Sequence, residues 1–117
     1  MSISVYGLIS TGAGKFAEAF DAGNYTGNCA AMWRAAISGT FESLPRGLKD
    51  LEGFQCAACE MILGEALLHM DDPTNRDRYL AMNPSTGFGD FESAREWLRK
   101  ILAECRKHPL AFLHVIS

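Results

Sequence analysis

The chain has 117 residues, a formal net charge of −3, 48% hydrophobic and 21% charged side chains. That suits one domain with its own core and is too apolar for a disordered chain. Residues 1–58 carry four basic and five acidic side chains and residues 59–117 carry seven and nine, so neither half shows the clustered basic excess of a nucleic-acid binder, and no direct nucleic-acid partner is expected.

In chain order, residues 3–9 (Ile-Ser-Val-Tyr-Gly-Leu-Ile) are β-branched and aromatic, partly alternating, and read as a strand. The Gly12-Ala13-Gly14 break follows, then a short helical pattern over 15–20 and a turn signal at 22–24. Cys29, Met32, Trp33, Ala36 and Ile37 fall on one face of a helix, with Thr26 or Asn28 as its cap and Gly39 as its stop. Residues 40–50 read as a loop. From 51 to 70 runs the most apolar helix, with Cys56, Cys59, Leu63, Leu67 and Met70 in one stripe and Ala58, Met61, Ile62 and Leu68 around much of the rest. A helix apolar nearly all round is expected in the middle of a core. Asp71-Asp72-Pro73 ends it. A helical turn is expected over 76–82, a turn-rich loop over 83–89, a helix over 91–107 capped by Asp90, and a closing strand over 110–116. The fold class is therefore α+β: three to four helices packed on a small antiparallel sheet made by the terminal strands. Two strands alone are marginal, so either the helices cover them well or a third strand lies in 40–50 or 76–82.

The motifs that could carry chemistry yield to simpler readings. Thr11-Gly12-Ala13-Gly14-Lys15 resembles a phosphate-binding loop in place, but Ile9 stands where its first glycine belongs and Phe16 where its hydroxyl belongs. Cys56-Ala57-Ala58-Cys59 shares its helix face with Leu63 and Leu67. Cys29 and Cys105 lie on apolar faces without partners at ligand spacing, so all four thiols are read as core, with no metal and no cofactor. His69, Asp71 and Asp72 sit at a helix end, where a histidine suits the dipole. Trp33 and Trp97 are read as core, Arg34 as a solvated charge. No catalytic residue is assigned. No basic segment precedes the short apolar stretch near the start and no apolar run approaches the ~20 residues that span a bilayer, so a cytoplasmic protein with reduced thiols and no membrane partner is expected.

Local structure explains two polar segments least: Asn24-Tyr25-Thr26-Gly27-Asn28, and residues 83–90 with Phe88 between glycines. Asn24, Tyr25, Asn83, Phe88 and Asp90 are the candidate binding residues, with Phe88 as the apolar anchor. Alanine at Tyr25 and Phe88 is expected to remove binding at little cost in stability.

The same segments carry a resemblance. Asn-Tyr-Thr-x-Asn leading into Met32-Trp33-Arg34, then Tyr79-Leu80-Ala81-Met82-Asn83-Pro84, then Gly87-Phe88-Gly89-Asp90-Phe91-Glu92 and His108-Pro109, resembles a family of small uncharacterised proteins of phages and some bacteria over residues 24 to 116. No function is known for that family, so no site residue carries over. Phage accessory proteins of this size act by stoichiometric binding to host proteins or complexes, inhibitors of bacterial defence among them. The resemblance implies that role, non-enzymatic and in the host cytoplasm. The alternative is a binder of a nucleotide-like small molecule, held by backbone amides near Gly12–Gly14 and the 83–90 loop.

Overall fold

The computed structural model describes residues 2–117, with two long strands first, four helices next and a short strand last. The strands are β1 (Ser2–Gly12), β2 (Lys15–Thr26) and β3 (Phe112–Ile116); the helices are α1 (Ala30–Ser38), α2 (Cys56–Asp71), α3 (Arg76–Leu80) and α4 (Phe91–Lys107). The sheet order is β2-β1-β3, antiparallel throughout, with Ile3 opposite Tyr25, Gly7 opposite Phe20, and Ser4 opposite Ile116. The terminal strands do pair, as expected.

The third strand is not where the sequence suggested. It occupies 15–26, the stretch read as a short helix and a turn, while 40–50 forms turns and the start of a 3₁₀ segment (Gly47–Leu51) and 76–82 holds α3. Six residues are too few for a helical period to be told from a strand with one apolar side, and pairing with β1 decided it. The turn at 13–14 makes that pairing possible. Ala13 (φ 50°) and Gly14 (φ 72°) both adopt left-handed backbone, the two-residue hairpin turn whose twist matches its strands. Lys15 therefore opens a strand rather than a helix, and the phosphate-loop geometry is absent.

Alternation along β1 sends Ile3 and Val5 inward, joined by Phe20 and Ala22 of β2 and Leu113 of β3. The helices cover this one face. Trp33 of α1, Leu63 and Met70 of α2 and Leu98 and Ile101 of α4 meet there, each fully buried and each contributing about 1.5–3 kcal/mol of transfer free energy. Beyond Leu8 the hairpin leaves the body: residues 9–18 are exposed on both faces, which draws the molecule out to 48 × 26 × 22 Å.

The most apolar helix starts five residues later than its pattern suggested, because Gly53 and Phe54 are taken up in a backbone exchange with Leu113. Its first turn has no side-chain cap; instead the Cys56 and Ala57 N–H groups donate to the carbonyls of Ala111 and Pro109. Nor is α2 buried all round. Cys56, Cys59, Ile62, Leu63, Ala66, Leu67 and Met70 face the core, while Met61 and Leu68 are 60% and 66% exposed. Four helices on a three-stranded sheet make two layers, and a two-layer domain has no central position in which a helix can be enclosed.

Candidate functional site

The two polar segments singled out in the sequence do meet. Tyr25 lies on β2, not in a turn, and its hydroxyl reaches the start of α4: it pairs with the Ser93 hydroxyl and accepts from the Asp90 N–H at 3.2 Å. Asp90 caps α4, its carboxylate accepting from Ser93 N–H at 2.8 Å, and that bond holds the Asp90 carboxyl below the usual carboxylate range. Asn83 caps the same helix from the side, accepting from Phe91 N–H at 2.8 Å. Gly89 (φ 86°) lets the loop press against Thr26, Cys29 and Tyr25, where a Cβ would come within 2.6 Å of Thr26 Cγ2.

These bonds give Tyr25, Asn83 and Asp90 structural work. The Tyr25 ring stacks on Trp97 (centroids 5.7 Å) and meets Trp33 edge-on (5.7 Å), while the indole N–H groups of Trp97 and Trp33 donate to the carbonyls of Ala22 (2.9 Å) and Ala94 (3.4 Å). Tyr25 is thus half-buried and packs against the core that both tryptophans were expected to join. This packing argues that its loss costs stability, against the expectation of little cost. Asn24 is exposed on β2, and Phe88 stands 70% exposed in its loop. Of the five candidates these two alone present their side chains outward without a structural bond. Gly12–Gly14 and the 83–90 loop lie at opposite ends of β2, one at the hairpin turn and the other beside Tyr25, so they form no common ligand cradle.

The histidine and aspartates at the end of α2 are committed to structure. His69 Nδ1 and the Tyr79 hydroxyl are 2.5 Å apart; Tyr79 is fully buried on Phe91, and burial pushes its hydroxyl up to about 12. Asp71 joins α2 to α4 through Arg95 (3.2 Å) and Arg99 (2.9 Å), and Asp72 caps the turn at Thr74. Among the described residues no group of three or more His, Cys, Asp or Glu side chains is placed to hold a metal ion.

Cys56 opens α2 as the reactive thiol of a C-x-x-C motif does. Its surroundings act the other way. The Cys105 thiol beside it and burial raise the Cys56 thiol. The Cys56 thiol works against the rise at Cys105, but the Cys59 thiol and burial prevail and push it up to about 12. The helix N–H groups that would favour a thiolate already donate to the 109–111 carbonyls. A thiol-specific disulfide reagent should therefore label almost nothing in the native protein while the unfolded chain reacts at all four cysteines. Prompt native labelling would show that the α2–α4 core opens.

The sequence reading missed one surface. Ala57, Met61, Gly64 and Leu68 follow i, i+4, i+7, i+11 along the outer face of α2 and floor a shallow groove of about 560 Å³, edged by Glu60, Glu65 and Arg106 of α4. Leu110, 69% exposed, adjoins its N-terminal end, where Ala57 N–H donates to Pro109. The signal was present as the all-round apolarity of α2, which the sequence analysis took for central burial. A second apolar groove, about 280 Å³, lies between Leu8 and Phe16 of the hairpin and Phe112 of β3.

No helix of the described residues is long and apolar enough to cross a membrane. No family model matches the chain, and no curated protein and no solved structure shows significant similarity to it.

Proposed function

We propose that this protein acts by stoichiometric binding to another protein, as a non-enzymatic accessory factor of the phage type in the host cytoplasm, with inhibition of a bacterial defence complex as the role in view. The α2 groove is the observation that carries the reading. Met61 and Leu68 hold large apolar side chains in water beside Ala57 and Gly64, whose small size lets a partner backbone approach. Methionine adapts to varied contacts, and burying Met61 and Leu68 gains about 1.5–3 kcal/mol each. Glu60, Glu65 and Arg106 supply the charged rim that orients a partner. The motif likeness to phage proteins supports the context, and Phe88 offers a second contact.

The test is site-specific photo-crosslinking in bacteria. A photoreactive phenylalanine analogue at position 61 should give one dominant adduct with a single host protein, lost in a Leu68→Asp background. The analogue at exposed Glu42 serves as control, and at position 88 it asks whether the loop shares the interface. Adducts at 61 no stronger than at 42, or adducts only between copies of this chain, would sink the reading.

A further inference from the structure

Three of the four basic side chains in residues 1–58 converge on one cavity. It measures about 120 Å³ and is lined by Ile3, Ala30, Trp33 and Leu48 together with Arg34, Arg46 and Lys49. The cations come from separate parts of the fold. Arg34 projects from the exposed side of α1, while Arg46 and Lys49 belong to the turn that crosses it. Gly47 brings them together: in its left-handed conformation (φ 66°) it packs so tightly on α1 that a Cβ would lie 2.8 Å from Arg34 Cα and 2.9 Å from Arg34 N.

One acid enters this arrangement, and it both offsets the charge of Arg46 and orients its guanidinium. Asp50, whose side chain is largely buried, accepts from the Arg46 backbone N–H at 2.7 Å and from Arg46 Nε at 2.7 Å. Both terminal guanidinium nitrogens of Arg46 stay without a protein partner among the described residues, and Arg34 and Lys49 carry no ion pair there. After Asp50 is set against Arg46, two positive charges remain over a floor of buried Ile3, Trp33 and Leu48. This occurs in a chain whose net charge is −3. Like charges gathered at the mouth of one partly enclosed cavity repel one another, and an anion seated between them relieves that repulsion. A guanidinium already fixed at Nε presents its remaining N–H groups in the geometry that suits paired oxygens.

We propose that this cavity is a binding site for a phosphoryl group, as free phosphate or as the end of a small phosphorylated metabolite. The doubly charged oxyanion matches the two uncompensated cations, and the cavity volume admits such a group with few further atoms. The site is independent of the α2 groove, and neither reading requires the other.

Titration of ¹⁵N-labelled protein with inorganic phosphate at low salt, followed by amide spectra, tests it. The expected result is saturable shifts at Arg34, Gly47, Leu48 and Lys49, with affinity reduced roughly tenfold or more in the Arg34→Gln/Lys49→Gln variant, the scale of a lost charge-assisted contact. The variant's own spectrum reports whether its fold is intact. Glycerol phosphate binding more tightly than inorganic phosphate would support the site and assign it to a metabolite, whereas the reverse order would support it for the free ion. Acetate saturating the same amides as tightly as phosphate would overturn the phosphoryl assignment. Non-saturable shifts, or shifts equal in the double variant, would overturn the site itself.

Discussion

Tyr25→Ala should destabilise the protein by about 2–3 kcal/mol, below the range for a fully buried aromatic because the ring is half-buried, read as the shift in a urea midpoint at constant slope. The ring is the third member of the Tyr25–Trp33–Trp97 cluster, and its hydroxyl ties β2 to the start of α4 through Ser93 and Asp90. Truncation opens a cavity beside both indoles and leaves the Asp90 N–H to water. Tyr25→Phe separates the two effects: it keeps the packing and should cost about 1 kcal/mol, the net worth of a hydrogen bond. Phe88→Ala should leave the midpoint within about 0.5 kcal/mol, as for any exposed position without structural contacts. If Tyr25→Ala instead matched Phe88→Ala in stability, the aromatic cluster would not be holding β2 to α4.

Gly47→Ala should be strongly destabilising, at about 2–5 kcal/mol. The estimate combines roughly 1–2 for an L-residue in left-handed backbone with about 1–3 for overpacking. At Gly47 the new Cβ meets Arg34 and Trp33 backbone, which cannot rotate away as a side chain can. Gly53→Ala is the matched control. Gly53 shares the positive φ (79°), but nothing lies within 4 Å of its Cβ position, so it should lose about 1–2 kcal/mol from backbone strain alone. Equal losses at 47 and 53 would mean that the turn at 46–50 is not pressed against α1, and the cavity of Arg34, Arg46 and Lys49 would lose its frame.

Local patterns carried much of this architecture. The periodicity of Phe91, Ala94, Leu98, Ile101 and Cys105 set α4 and its buried face, and Asp90, its cap, needed only the chemistry of an aspartate before an apolar run. The i, i+3, i+4 spacing around Trp33 likewise set α1, and β-branched and apolar residues in the first and last segments set two strands that pair. These features follow from interactions within a few residues of one another, or from a single buried face, and a sequence displays both.

Tertiary structure decided the rest. Lys15–Thr26 became a strand because β1 offers it a ladder and the Ala13-Gly14 turn aims it back, a long-range gain that outweighs weak local preference. Tyr25 packs against the core because Trp33 and Trp97 arrive from two helices distant in sequence. The outer face of α2 stayed in solvent because apolarity fixes how much surface a helix could bury, while the number of layers around it fixes how much it does bury. The cavity of Arg34, Arg46 and Lys49 was invisible for the same reason: charges twelve and fifteen residues apart become neighbours only when Gly47 lets one turn lie against a helix.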